Sequence, residues 1–221
     1  MLFTLEIYDT MPNYTDPEGK GTLNADYAQR LKKAFEVYNP ANPADKSKNY
    51  TNFELKKELG DCGKSPYGYI SEEEQDGTKL AINPCIFLKM NSVWSWEPEP
   101  ITAEDFKNNP DWPDSLESHF NNLTKAEKKQ VFVDCQGETS VDQEAMKQAV
   151  SFFPKTKGFP VKYFPYKGNK EKYQQPLVAL QFDGEKMKKF VEVMISVKCK
   201  AYYKGGPSQG DFRIRFQHKN F

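Results

Sequence analysis

Apolar positions alternate most regularly toward the C-terminus. In "KFVEVMISVKCKAYY", Val191, Val193, Ile195, Val197, Cys199 and Ala201 fall on one side of an extended chain, while Glu192, Met194, Ser196, Lys198 and Lys200 fall on the other. That two-residue period belongs to a half-buried strand. "VFVDCQ" repeats it with Val131, Val133 and Cys135, and "DFRIRFQH" with Phe212, Ile214 and Phe216. With "PLVALQF" and the apolar run "CIFLKM", these segments predict antiparallel sheet with one face in solvent. The helical period is rarer. "ADYAQRLKKAFEVY" places Tyr27, Leu31, Ala34, Phe35 and Tyr38 on one face behind Asn24 as N-cap, until "NPANPAD" stops it. "TAED" at 102–105 starts another helix, which Pro110 and Pro113 cut short. Without helical crossovers between strands, a doubly wound parallel sheet is disfavoured. The pattern predicts a mainly β antiparallel sandwich with at least one packed α-helix, behind a polar, Pro/Gly-marked stalk at residues 1–24.

Composition adds limits. A chain of 221 residues buries enough surface to fold without staples. Its 31 basic and 31 acidic residues cancel, so no global charge draws it to nucleic acid. Cys62, Cys85, Cys135 and Cys199 include no CxxC pair, which excludes zinc-ribbon and thioredoxin-type spacing. Sequons at Asn13, Asn49 and Asn122, joined to this even cysteine set, favour an oxidising extracellular compartment and N-glycosylation. Pairing sequence neighbours gives Cys62–Cys85 and Cys135–Cys199, although three connectivities remain open. Cys135 and Cys199, each on an apolar strand face, suit a bridge across the core between two sheets. Trp94, Trp96 and Trp112 all precede Cys135, so the sandwich is at most immunoglobulin-like.

Catalytic chemistry finds little support. His119 and His218 are the two histidines and read as solvated, and neither a P-loop nor a GxGxxG motif is present. "SEEEQD" reads as a solvated acidic loop and "KGGPSQGD" as a hairpin turn. "KAEKKQ" and "GEKMKKF" are basic clusters without stacking aromatics in register. "WSWEPEP" reads as packing rather than as a platform for sugars. No catalytic residue, cofactor or metal ligand is expected.

The densest aromatic stretch is "FPVKYFPYKGNKEKYQQPLVALQF", residues 159–182. Its Val161 and Tyr163 read as one strand face, and Val178, Leu180 and Phe182 as another, with a turn-rich segment between them at Pro165 and Gly168. The ordered set "LGDCGKSPYGY", "PCIFLKMN", "VFVDCQGE", "GFPVKYFPYKG", "YQQPLVALQF" and "VKCKAYY" resembles the beta-subunit family of the sodium/potassium pump and its proton/potassium relative. That resemblance implies a non-catalytic type II membrane glycoprotein on the extracellular side of the plasma membrane. Residues 1–5 would end its transmembrane helix, and 25–221 would form an immunoglobulin-like extracellular domain. Its partner would be the catalytic alpha subunit of a P-type ATPase, which it would assemble with, stabilise and help to export. Tyr163, Phe164, Tyr166, Tyr173, Gln174, Gln175 and Pro176 would contact that partner, with Tyr166 and Tyr173 partly exposed. The family pattern also implies a further disulfide upstream of "LGDC", for which this chain has no cysteines. The alternative is a freestanding adhesion or sugar-binding sandwich without a pump partner.

Overall fold

The computed structural model describes residues 3–4, 32–64, 83, 85–190, 194–207 and 212–217. Nine strands lie among them: β1 (Phe3–Thr4), β2 (Cys85–Met90), β3 (Gln130–Gly137), β4 (Val150–Phe153), β5 (Gly158–Pro160), β6 (Leu177–Phe182), β7 (Met194–Tyr203), β8 (Gly206–Pro207) and β9 (Phe212–Gln217). They form two antiparallel sheets, one in the order β1-β2-β6-β4 and the other β5-β3-β7-β8 with β9 also on β7. Phe3 and Thr4 are extended backbone paired with Met90 and Lys89. The rest of 1–31, including the stalk, the Asn24 cap and Asn13, lies outside the described residues.

One apolar interior joins the sheets. Ile195, Val197, Cys199 and Ala201 of β7 are fully buried there. They pack in one cluster with Val131 and Val133 of β3, Leu88 and Met90 of β2, and Val178, Leu180 and Phe182 of β6. The alternation read from the sequence therefore marks this interior. Strand β6 is buried on both faces, because Leu177 and Ala179 enter a second cluster with Phe35, Phe53, Phe87, Tyr163 and Leu59 of helix α1 (Leu55–Leu59). A central strand covered on both sides carries a continuous apolar run, as "LVAL" does.

Three expectations change. First, the outer face of the second sheet is not open to solvent along its length. Helices α2 (Ala103–Asn108) and α3 (Asp114–Asn121) cover it, packing Phe106, Trp112, Leu116 and Phe120 over Phe132 and Tyr202. Asp105 starts α2 by accepting from Thr102 N and Oγ1, each at 2.7 Å; α2 ends at Asn108 ahead of Pro110, as expected, and Pro113, extended at φ −63°, is the N-cap of the separate helix α3. His119 on α3 is half-buried, its Nε2 lying 3.0 Å from the Thr156 carbonyl. Second, the Cys135–Cys199 disulfide does not cross the core. The two cysteines are register partners on adjacent strands of one sheet, with Cα atoms 4.0 Å apart. Third, Val161 and Tyr163 do not share a strand face. β5 ends at Pro160, which has no N–H to extend the ladder, and 161–163 turn as a 3-10 helix.

Helix α4 (Ser140–Ala149), which the sequence pattern did not single out, carries the chain from β3 to β4 and so from one sheet to the other. Its buried Asp142 accepts from Thr139 N at 2.9 Å and from Ser196 N at 3.1 Å, fastening the helix start to β7. Gly137 leaves room for this. A Cβ there would sit 2.3 Å from the Asp142 carbonyl carbon.

Candidate partner-docking ledge

The segment linking β5 to β6 is held from below by two glutamines. Phe53 N–H donates to Gln174 Oε1 at 2.7 Å, and Gln174 Nε2 donates to the carbonyls of Val37 and Asn42, both at 3.1 Å. Gln175 Nε2 donates to the Met90 carbonyl, and Tyr38 Oη donates to the Gln175 carbonyl at 2.6 Å. Both glutamines are buried, at 3% and 8% exposure, and Pro176 is buried beside them. A buried amide is tolerated only when its donors and acceptors are matched. The "QQP" run is thus an internal staple that ties residues 37–53 to β2 and β6.

Aromatic rings stack above that staple. Tyr173, 5% exposed, lies between Tyr50 and Tyr166 with ring centroids at 4.8 and 5.1 Å. Its reading as a partly exposed contact is thereby corrected: its ring is flanked by Tyr50 and Tyr166, and the Asn169 carbonyl accepts from Tyr173 N at 3.0 Å. Burial, then the rings of Tyr50 and Tyr166, push its hydroxyl well above the ordinary tyrosine range. Tyr163 is buried too, and donates to Glu58 Oε1 at 3.2 Å. Burial first and Glu58 second raise it likewise. Tyr50 Oη donates to the Gly168 carbonyl at 2.7 Å and accepts from Lys167 N at 2.6 Å, fixing the turn. Burial is the main cause that raises Tyr50.

What remains outward is the upper course. Tyr166 and Phe164 are half-exposed. Trp94, 65% exposed, meets Tyr166 edge-on at 6.2 Å, and Val93 beside it is 37% exposed. Ser95 N–H donates to the Tyr166 carbonyl at 2.8 Å, so the two loops advance together. Gly168 is required here, since its φ is +96° and a Cβ would come within 3.1 Å of the Trp94 indole. Trp96 braces the opposite side against Phe164 and Tyr203, at 5.6 and 5.7 Å. Trp94, Val93 and Tyr50 were not among the expected contact residues. The signal for Trp94 was "WSW" followed in space by a glycine-marked turn, a pairing that only the fold reveals.

The ledge offers contact area and no catalytic constellation. Among the described residues no group of three or more His, Cys, Asp or Glu could hold a metal ion. The sequon residues Asn49 and Asn122 are both exposed. Asn49 closes a 3-10 turn at φ 61°, and Asn122 Nδ2 donates to the Ser118 carbonyl at 3.0 Å. A second disulfide joins Cys62 to Cys85 at the start of β2. None of the cysteines is free.

Two antiparallel sheets, two disulfides and an aromatic ledge define a mainly β domain. A family profile described as the sodium/potassium ATPase beta chain matches residues 7–209, and the chain belongs to that family. Sodium/potassium-transporting ATPase subunit beta-1 of Drosophila melanogaster is 34% identical over 158 residues, which span 71% of this chain and 44% of the relative. Subunit beta-2 of the same fly is 36% identical over 123 residues, spanning 54% of this chain and 35% of that protein. Subunit beta-1 of Tetronarce californica is 26% identical over 263 residues, spanning 98% and 81%. The chain thus spans less than half the length of either fly relative it matches.

Proposed function

We propose that this chain is the immunoglobulin-like outer domain of a non-catalytic beta subunit of a sodium/potassium or related proton/potassium P-type ATPase. In this reading residues 1–24 form the membrane-proximal stalk and 25–221 the extracellular domain. The domain assembles with the catalytic alpha subunit at the plasma membrane, stabilises it and helps its export. The observation that carries this is the exposed course of the ledge, where Trp94 and Tyr166 stand outward on a turn fixed by Tyr50 and Gly168. Tyr and Trp give large contact area with few rotatable bonds, which suits a hot spot. Tyr163, Tyr173, Gln174, Gln175 and Pro176 act from beneath, by fixing the height and tilt of that course. Phe164 and Tyr166 touch the partner.

Trp94→Ala and Tyr166→Ala should each leave the melting of the isolated chain within about 1 kcal/mol of the parent, as at exposed sites. Each should weaken co-purification with the alpha subunit from membranes about thirty-fold, the equivalent of ~2 kcal/mol. Undiminished co-purification of both variants would place the contact elsewhere. A parallel loss of binding to immobilised glycans would favour the freestanding sugar-binding alternative.

The exposed Asn49 and Asn122, with Asn13, are proposed N-glycan acceptors. Enzymatic deglycosylation of protein expressed in animal cells should lower its mass by two or three glycans. An unshifted band would argue against the extracellular placement.

A further inference from the structure

The β5 edge of the second sheet gathers lysines that sequence distance separates. Lys129 and Lys162 are brought together because Val161 N–H donates to the Lys129 carbonyl at 3.1 Å. At the other end of the edge, Val133 N–H donates to the Lys157 carbonyl at 2.7 Å. Thr156, between Lys155 and Lys157, accepts from Gln130 Nε2 at 2.8 Å and lies against the His119 ring. Gln130 in turn follows Lys128 and Lys129 directly. Thus the backbone places the "KAEKKQ" cluster beside "KTK", the connection that carries the chain from β4 in one sheet to β5 in the other.

The ammonium groups are pre-ordered. Lys128 Nζ stands 4.4 Å over the Phe120 ring, Lys155 4.7 Å over Phe153, Lys157 4.8 Å over Phe152, and Lys162 4.8 Å over Tyr163. The four lysines come from the segments that flank β3 and β5, and the rings beneath them belong to α3 (Phe120), β4 (Phe152 and Phe153) and the turn after β5 (Tyr163). Each ring restrains a cation that would otherwise sweep through solvent. A ligand engaging them then orders less side chain. Few of these lysines are paired with a carboxylate. Among the described residues, Lys162 alone of Lys128, Lys129, Lys155, Lys157 and Lys162 has a carboxylate within salt-bridge reach, Glu58 at 4.0 Å. Glu127 spends its Oε2 on Thr124 N and Oγ1, at 2.9 and 2.6 Å. Burial, the larger cause, raises the pKa of Asp134, while nearby Lys157 lowers it.

We propose that this edge binds an anionic polysaccharide of the sulfated kind found outside cells. Lysines held as spaced point charges match repeating sulfates, and clusters of this size are the footprint of heparin-like ligands. Single-stranded nucleic acid fits less well, since the rings that could stack on bases lie beneath the ammoniums. The inference draws on the extracellular placement but not on a pump partner. Failure of heparin binding would therefore leave alpha-subunit assembly standing.

The test titrates heparin oligosaccharide into the whole chain, before and after enzymatic deglycosylation, at several salt concentrations. Phosphatidylserine vesicles and single-stranded DNA serve as comparison polyanions. Polyelectrolyte binding falls linearly with salt on logarithmic axes, with a slope that counts the contacts. Replacing Lys128, Lys129, Lys155 and Lys157 by Gln should lower heparin affinity at least ten-fold and flatten that slope. The same charge removed elsewhere, with Gln at Lys46, Lys48, Lys56 and Lys57, should change it less than two-fold. Thermal melting of both variants checks that the fold is intact. Equal losses in the two variants, or unchanged affinity in the first, would overturn the site. Equally tight binding of vesicles or DNA would overturn the polysaccharide assignment.

Discussion

Gln174→Leu is expected to lower the stability of the folded chain by about 3–4 kcal/mol, because the buried amide is matched to backbone groups. The amide serves three backbone groups from three places: Phe53 N–H, the Val37 carbonyl and the Asn42 carbonyl. Leucine keeps roughly the same volume and removes all three partners. A buried backbone group left unmatched costs about 1–3 kcal/mol. Phe53 is 1% exposed, so its N–H bears the full penalty, whereas the two carbonyls lie at half-buried residues that water can reach in part. At about 2–4 °C per kcal/mol for a chain of this size, the melting midpoint should fall by roughly 10 °C. Gln174→Glu offers a sharper form of the test. It keeps the acceptor for Phe53 N–H but turns a donor toward two carbonyls into an acceptor, so it should be at least as harmful as Leu. A midpoint unchanged in both variants would return "QQP" to the role of an outward-facing contact motif.

The contrast between the two glutamines and the strands explains what could be read in advance. Period two along Ile195, Val197, Cys199 and Ala201 reports a face directly, because a strand's side chains alternate whatever lies above them. The core of both sheets was legible for that reason. The helical cover was not, because Phe132 sits at a position that alternation assigns to solvent, and its burial depends on α2 and α3 packing over it from 101–121. Tyr173 misled in a related way: turn-rich surroundings suggest exposure, but the ring lies between Tyr50 and Tyr166. The stapling role of Gln174 rests on three long-range partners that no local pattern encodes. For the candidate site, the sequence located the segment and missed its outward residue Trp94, which joins Tyr166 through a bridge between loops over 70 positions apart.

The same logic separates the two disulfides. Removing Cys135–Cys199 by paired replacement with Ala should cost about 4 kcal/mol, by the chain-entropy relation for a closure of 64 residues. For Cys62–Cys85, with a separation of 23, the same relation gives about 3.5 kcal/mol. Similar totals should nevertheless appear in different places. Cys135 and Cys199 sit within a six-pair ladder from Phe132↔Tyr202 to Gly137↔Val197 that persists without the bond. Its loss should therefore lower the global midpoint by roughly 10–15 °C while leaving native amide protection in β3 and β7 in place below the transition. Cys62, by contrast, lies in the last turn of the short helical stretch Leu55–Gly63, which is anchored to β2 through this bond and through Leu59 and Cys62 in the second apolar cluster. Loss of that disulfide should open 53–63 locally, visible as faster hydrogen exchange and early proteolytic cutting there before any global melting. Local opening around β3 and β7 in the first variant, or a midpoint within about 1 kcal/mol of the parent, would mean that the bond holds the native ladder in register and does not act mainly on the unfolded chain.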